Sequence, residues 1–142
     1  MGSDSDTVWA IRGAVITNRG RVYDHNEDAC LFGEVYLGGL MDSPKTVKFK
    51  TSSTCIAAVA DGIGGGAAGE VASKAVVDSL AGFQPKHGEE MIEHFKKLNE
   101  RIYDKGEDQD ELRGMGATVA GLCLGGDSLF AFNVGDARVY RR

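Results

Sequence analysis

The chain has 142 residues, 42% of them hydrophobic and 26% charged, which predicts one globular domain with enough apolar material for a core. Its formal net charge of -5 argues against nucleic acid or an anionic membrane as the main partner, because both require a basic surface. The three cysteines form no C-x-x-C pair, which argues against a zinc site or a disulfide framework. We therefore predict a protein of the reducing cytoplasm, without a membrane span.

Runs of β-branched and apolar residues predict most of the strands. In chain order, strands are predicted at Val8–Thr17, Ala29–Tyr36, Thr54–Ala60, Ala117–Leu124, Ser128–Asn133 and Arg138–Tyr140. Residues 38–53 are polar and contain a proline and three lysines, which predicts a loop. The Gly-Gly-Asp run at 125–127 predicts a hairpin turn.

Two segments between these strands carry apolar residues at helical spacing. They predict helices at Ala67–Ala81 and Glu89–Tyr103. The second begins with two glutamates and is followed by Lys105, charges that suit the helix dipole. Because strands and helices do not alternate strictly, the pattern indicates the α+β fold class.

The first motif with chemical potential is Asn-Glu-Asp-Ala, residues 26–29, at the entry to a strand. Adjacent side chains on an extended chain point to opposite faces. Glu27 and Asp28 therefore cannot both address one site directly. A polar turn before a strand is the alternative interpretation.

The second motif is an apolar strand that ends at Asp61 and opens into the run Gly-Ile-Gly-Gly-Gly at 62–66. A carboxylate there can hold a hard cation, and bare glycines let backbone carbonyls approach as further oxygen ligands. Residues 64–69 also match G-x-G-x-x-G, the pattern of dinucleotide-binding loops. Against that alternative, Asp61 would repel a pyrophosphate.

Two further motifs follow: Gly-Met-Gly-Ala-Thr at 114–118 and Asn-Val-Gly-Asp-Ala-Arg at 133–138. Taken alone, Asp136 in the last motif is equally typical of an ordinary turn aspartate. In this order, however, the four motifs closely resemble the metal-dependent protein phosphatase family, the type 2C serine/threonine phosphatases. The resemblance runs from about residue 17 to residue 142 and is greatest to bacterial members.

The resemblance implies an α-β-β-α sandwich, in which two packed antiparallel β-sheets are flanked by helices. Residues 1–142 would form the N-terminal portion of one such domain, with the sandwich incomplete. The implied function is hydrolysis of phosphoserine and phosphothreonine in proteins, as part of signalling, by a metal-activated water at a dinuclear Mg²⁺ or Mn²⁺ site. A serine/threonine kinase would supply the phosphorylated protein substrate. A non-catalytic, phosphatase-derived binding or regulatory module is the alternative.

The resemblance also implies a role for each motif residue. Glu27 would bind one metal, Asp61 would bridge both, and the Gly62 carbonyl would complete the shell of the Glu27 metal. Asp28 would act in catalysis by orienting metal-bound water. Asp136 would bind the third, more weakly held ion that many bacterial members carry.

Two departures from the family pattern affect these expectations. Tyr23 occupies the position of the family's phosphate-binding arginine, and Arg21, two residues earlier, is the candidate to replace it. His25 is a candidate for proton transfer. The family's later metal-binding aspartates and several strands would follow Arg142, so we expect a dimer or a complex with a complementing segment.

Overall fold

The computed structural model describes residues 8–22, 24–39, 41–65, 67–125 and 128–142. Seven strands and two long helices make up most of these residues. They are β1 Trp9–Val15, β2 Asp28–Phe32, β3 Val35–Gly38, β4 Lys45–Thr51, β5 Cys55–Ile63, α1 Ala67–Leu80, α2 Gly88–Asp108, a short 3-10 helix Asp110–Leu112, β6 Gly116–Gly125 and β7 Ser128–Val134.

Five of the strands form one antiparallel sheet in the order β3-β2-β5-β6-β7. In this register Asp28 on β2 lies opposite Asp61 on β5, and Asp61 lies opposite Thr118 on β6. The strands before and after the helices are therefore antiparallel neighbours. A dinucleotide-binding β-α-β unit requires parallel strands, so that interpretation of residues 64–69 is wrong.

Both helices contribute to a core on one face of this sheet. Alternate residues of β5 point toward them: Ile56, Ala58 and Ala60 are buried in this core with Val76, Val77 and Leu80 of α1 and Met91 and Leu98 of α2. The first turns of α1 bury small residues, Ala68, Gly69, Ala72 and Ser73, which allows the helix to approach the sheet closely. Among the described residues, no helix combines the length and apolar character needed to cross a bilayer.

The opposite face of the sheet is partly covered by β1 and β4, which form a separate two-stranded antiparallel sheet. Phe32, Val47 and Cys55 form the buried centre of this contact. The α+β class with two packed sheets is thus confirmed. The described chain provides one helical layer, on the five-stranded sheet.

The loop predicted at 38–53 is wrong, because β4 lies within it and pairs with β1 along its full length. Val47 and Phe49 alternate with lysines, a period-two pattern with one face toward the core. Val47 is 7% exposed, and Phe49 packs edge-on against Phe32 with ring centroids 5.9 Å apart. The lysines and the proline concealed that alternation.

Two other strand predictions also differ from the structure. The strand predicted at Ala29–Tyr36 is a hairpin, because Gly33 adopts a positive φ of 63° and turns the chain between β2 and β3. The strand predicted at Arg138–Tyr140 is irregular. Gly135, with φ 90°, ends the extended chain just after β7. The hairpin between β6 and β7 is confirmed by their pairing, although Gly126 and Asp127 lie outside the described residues.

Candidate metal centre

A cavity of about 550 Å³ lies at the edge of the five-stranded sheet, where β2 begins and β5 runs toward α1. Three carboxylates line it, together with one arginine, one histidine and the glycine turn. The lining residues are Asn18, Arg19, Gly20, His25, Asn26, Glu27, Asp28, Asp61, Gly62, Ile63, Gly64 and Gly65. The first two motifs of the sequence therefore meet in one site.

Asp28 and Asp61 face each other across β2 and β5 as direct register partners. Directly opposite residues share one face of a sheet. Burial raises the pKa of Asp28, and the charge of Asp61, a side-chain hydrogen bond with Asp61 and the charge of Glu27 raise it further. Two carboxylates that face each other in this way repel, and a proton or a cation between them would relieve the repulsion.

Glu27 reaches the same cavity from the residue before β2, so Glu27 and Asp28 both line one site, contrary to the expectation from the sequence. Its backbone oxygen accepts a hydrogen bond of 3.2 Å from the Gly62 N–H, which joins the two motifs directly. Its side-chain Oε1 lies 3.0 Å from His25 Nε2, and its Oε2 lies against Gly69 in the first turn of α1. A negative charge is favourable there, because the helix dipole is positive at its N-terminus.

Gly62 and Gly69 are required by this close approach. A Cβ on Gly62 would overlap the backbone carbonyl of Gly69, and a Cβ on Gly69 would overlap Glu27 Oε2. The two glycines thus let α1 touch β5 backbone to backbone, with the Glu27 carboxylate beside them. The glycine-rich sequence indicated close backbone approach, but not which groups would meet.

Asn26 fixes the loop that carries Glu27. Its side chain is buried, and Nδ2 donates to Thr17 Oγ1 and to the Gly39 carbonyl, both at 2.7 Å. Its Oδ1 accepts a hydrogen bond of 3.2 Å from the Asp28 N–H. Asn26 is therefore a structural member of its motif, a role that sequence reasoning missed. A buried amide satisfied by distant partners leaves no local sequence signal.

The arginine in the cavity is Arg19, whose Nη1 donates to the Asp24 carbonyl at 3.2 Å across the loop. Arg21, the predicted phosphate-binding residue, is exposed and lies outside the described lining of the cavity. Tyr23 falls outside the described residues. Both arginines are exposed, but only Arg19 is among the described residues that line the cavity with the carboxylates.

Asp136 follows Gly135 in an exposed bend after β7. Gly135 packs on Thr118, the register partner of Asp61: a Cβ on this glycine would lie 2.8 Å from Thr118 Cγ2. Asp136 is therefore at the same end of the sheet as the carboxylate pair. It is not among the described residues that line the cavity.

Comparison with known proteins decides the family, because the family model described as protein phosphatase 2C matches residues 42–142, most of the chain. The chain belongs to the protein phosphatase 2C family. The serine/threonine protein phosphatase PstP of Mycobacterium tuberculosis is 31% identical over 135 residues, which cover 92% of this chain and 22% of PstP. The serine/threonine phosphatase stp of Listeria welshimeri is also 31% identical, with 87% of this chain and 47% of that protein covered.

Solved structures of protein phosphatase 2C relatives share the fold. Stp1 from Staphylococcus aureus superposes with a TM-score of 0.64 at 25% identity, over 92% of this chain and 47% of that chain. The catalytic domain of PstP in complex with two manganese ions gives a TM-score of 0.64 at 29% identity, over 92% of this chain and 50% of that chain. The chain thus spans about half the length of these structures.

The donor atoms of this protein phosphatase 2C chain suit a hard divalent cation. Carboxylates and backbone carbonyls are the ligands that Mg²⁺ and Mn²⁺ prefer, and the mutual repulsion of Asp28 and Asp61 would be relieved by positive charge. Within the described residues, no three His, Cys, Asp or Glu side chains already converge as a metal cluster. The Glu27 carboxylate instead contacts His25 and Gly69.

A second cavity, of about 610 Å³, lies between α2 and β7. Its lining is mainly apolar and includes Met91, Ile92, Phe95, Phe130 and Phe132. It lacks the paired carboxylates of the cavity at β2 and β5. The acidic cavity is therefore the candidate site of this protein phosphatase 2C chain, although the apolar one is slightly larger.

Proposed function

We propose that this chain contributes the N-terminal portion of a catalytic domain that hydrolyses phosphoserine and phosphothreonine in proteins. The observation that carries the proposal is the direct pairing of Asp28 with Asp61 in the cavity that Glu27 also lines. Paired carboxylates beside a glycine turn are suited to divalent cations and thereby to a phosphate dianion. The relatives named as serine/threonine phosphatases support the same reaction class.

Glu27, Asp61 and the Gly62 carbonyl would hold the cations, with Asp61 between them. When bound there, divalent ions would supply positive charge for the phosphate and would lower the pKa of an attacking water. Asp28, beside Asp61 and partly buried, would accept a hydrogen bond from that water. Asp136, in the bend after β7, is proposed for a third and weaker ion. These ligands are few for two six-coordinate ions, so we expect slow turnover from this chain alone.

Arg19 is better placed than Arg21 to contact the phosphate. It lines the cavity that contains the three carboxylates. Its guanidinium group donates a hydrogen bond to the Asp24 carbonyl, which ties the side chain to the loop that carries it. A planar guanidinium pairs with phosphate oxygens through two parallel hydrogen bonds. We propose that Arg19 orients the substrate phosphate.

His25 contacts Glu27 through Nε2 at 3.0 Å. An ionised carboxylate only accepts hydrogen bonds, so Nε2 is assigned the proton in this pair. The ring then holds Glu27 in place, and any proton transfer by His25 would use Nδ1. We propose that His25 positions the Glu27 carboxylate.

The test is phosphate release from a phosphothreonine peptide in Mn²⁺. We expect release by the wild-type chain well below the roughly 1 s⁻¹ typical of slow enzymes, and loss of that release in Asp61→Asn. Asp104→Asn, an exposed aspartate of α2, is the matched control. Equal release by wild type and Asp61→Asn would contradict the proposal. Tight phosphopeptide binding without release would instead support the non-catalytic module.

Proposals on the cellular setting follow from the substrate class. A serine/threonine kinase must phosphorylate the substrate, because the reaction consumes a phosphorylated side chain. Cys30, Cys55 and Cys123 are free and buried, which agrees with the cytoplasm that we predict from the sequence.

A further inference from the structure

Thr118 carries a buried hydroxyl beside the carboxylate pair. It lies on β6 directly opposite Asp61, which lies directly opposite Asp28, so the three side chains form a row on one face of the sheet. Thr118 is 7% exposed. Its Oγ1 is buried without a hydrogen-bond partner, the single side-chain atom in that state among the described residues.

A buried hydroxyl without a partner costs free energy, whereas a methyl group at the same place would not. Valine has the shape of threonine and suits a strand at least as well. The site is nevertheless shaped around this side chain, since a Cβ on Gly135 would lie 2.8 Å from Thr118 Cγ2. The hydroxyl is thus held in a fixed position next to Asp61, where it lacks a partner.

We infer that Thr118 is a positioning residue of the metal centre, whose hydroxyl donates a hydrogen bond to the Asp61 carboxylate when that carboxylate binds a divalent cation. This inference rests on the proposed function. In the structure Asp28 and Asp61 lie directly opposite each other on β2 and β5. A cation held by these carboxylates would keep Asp61 ionised, and an ionised carboxylate has lone pairs left to accept from Thr118.

The hydrogen bond would orient the ligand without competing for it. A carboxylate has two oxygens, and a donor that fixes one of them directs the other toward the cation. The threonine hydroxyl is neutral, so it adds no charge to a group whose negative charge attracts the cation. Thr118 is the last residue of the Gly-Met-Gly-Ala-Thr motif. This role would explain why the motif ends in threonine.

The experiment is a titration of the 142-residue chain with Mn²⁺, in which free Mn²⁺ is measured by electron paramagnetic resonance. We compare wild type with Thr118→Val, which keeps the shape, and Thr118→Ser, which keeps the hydroxyl. Thr118→Val should weaken Mn²⁺ binding about tenfold, or about 1.4 kcal/mol. Thr118→Ser should stay within about twofold of wild type, because the donor is retained.

A melting experiment in EDTA separates positioning from folding. Thr118→Val should melt at or above the wild-type temperature, because it removes an unsatisfied polar atom. Wild-type Mn²⁺ affinity in Thr118→Val, with binding lost in Asp61→Asn, would overturn the role of Thr118 and leave the metal centre standing. Equal weakening in the valine and serine variants would also overturn it, as would a melting temperature that falls in step with affinity. Undiminished binding in Asp61→Asn would reject the metal centre itself.

Discussion

The Glu27 carboxylate occupies the space that a side chain on Gly69 would need. Glu27 belongs to the strand-entry motif, and Gly69 belongs to the first turn of α1. The carboxylate is therefore held against the positive end of a helix as well as beside the carboxylate pair. If Glu27 binds a metal as we propose, Gly69 helps to determine that site, although glycine has no side-chain atom that could bind the metal itself.

Gly69→Ala should weaken Mn²⁺ binding while preserving the fold. The new methyl group meets the end of a flexible side chain, so the Glu27 carboxylate moves and the helix gains about 0.8–1.0 kcal/mol of propensity. We expect roughly tenfold weaker Mn²⁺ binding, the size found when support of a ligand is lost. Calorimetric titration and urea unfolding measure the two effects separately.

The controls for Gly69→Ala are alanine substitutions at two other glycines, Gly62 and Gly88. At Gly62 the methyl group meets backbone atoms of Gly69 and Glu27, which cannot yield as easily, so we expect a stability loss of about 1–3 kcal/mol. Gly88, at the start of α2, has open space around it. Alanine there should leave binding unchanged. Unaltered Mn²⁺ affinity in Gly69→Ala would refute the positioning of Glu27 by this helix turn.

Asp61→Asn should remove the stabilisation of the chain by Mn²⁺. A ligand at 100 times its dissociation constant stabilises a protein by about 2.7 kcal/mol, which thermal unfolding resolves as a rise in melting temperature. In EDTA the variant should melt no lower than wild type, because the amide does not repel Asp28. A Mn²⁺-induced rise of wild-type size in Asp61→Asn would count against the assignment.

Arg19→Ala should weaken the binding of a phosphothreonine peptide in Mn²⁺ more than Arg21→Ala does. A hydrogen bond to a charged group contributes about 1.5–3 kcal/mol, which corresponds to at least a tenfold change in affinity. Arg21 is exposed outside the described lining of the cavity, so its loss should have little effect. Fluorescence anisotropy with phosphorylated and unphosphorylated peptides provides the measurement. The reverse order of effects would restore Arg21 as the phosphate-binding residue.

The effect of Tyr23→Arg on the same assay is a separate expectation. An added arginine at this position supplies charge and paired donors that tyrosine lacks. We expect tighter binding of the phosphorylated peptide and no change for the unphosphorylated one. Unchanged affinity would indicate that the phosphate is already held, which would fit Arg19.

His94 makes the packing of α2 on α1 sensitive to acid. Its Nε2 lies 3.0 Å from Ser79 Oγ, and its ring stacks on Phe83 with centroids 4.2 Å apart. Burial lowers the pKa of His94, and Arg101 and Lys97 lower it further. The unfolded chain therefore takes up a proton near pH 6.5 more readily than the folded protein.

Stability should accordingly be complete above about pH 7.5 and should fall as the pH drops through about 6.5. His94→Gln remains neutral and keeps a donor for Ser79, so it should reduce this dependence. His87→Gln, just before α2, is the control. Urea unfolding at several pH values measures the pH dependence of the free energy of unfolding. A wild-type pH profile in His94→Gln would exclude His94 as the source of that dependence.

The chain should self-associate through β7, which has a strand partner on one side within the described part of the chain. Leu129 on β7 is 65% exposed, and an open edge with apolar side chains favours strand addition. Size-exclusion chromatography across protein concentrations should show a dimer. Leu129→Lys should weaken it, whereas Val22→Lys, in an exposed loop, should not. A wild-type monomer at all concentrations would contradict this expectation.

The sequence predicted which motifs come together better than it predicted the strands. The motifs around Glu27 and Asp61 line one cavity, and their roles as metal ligands stay predictions. That Arg19 lines the cavity depends on how a loop closes, which neither periodicity nor motif spacing encodes. The strand at Lys45–Thr51 was missed because its lysines conceal a period-two pattern.

The row from Asp28 through Asp61 to Thr118 is assembled from segments that are distant in sequence. The two helices separate β5 from β6 along the chain. The two strands can therefore pair only after the long segment between them has closed into a loop. Closure of long loops slows folding. Asp28 and Asp61 can pair as soon as β2 meets β5, whereas Thr118 joins the row only when β6 docks. Full Mn²⁺ affinity would then mark the last stage of sheet assembly. In a stopped-flow refolding experiment, ion capture should therefore lag behind helix formation.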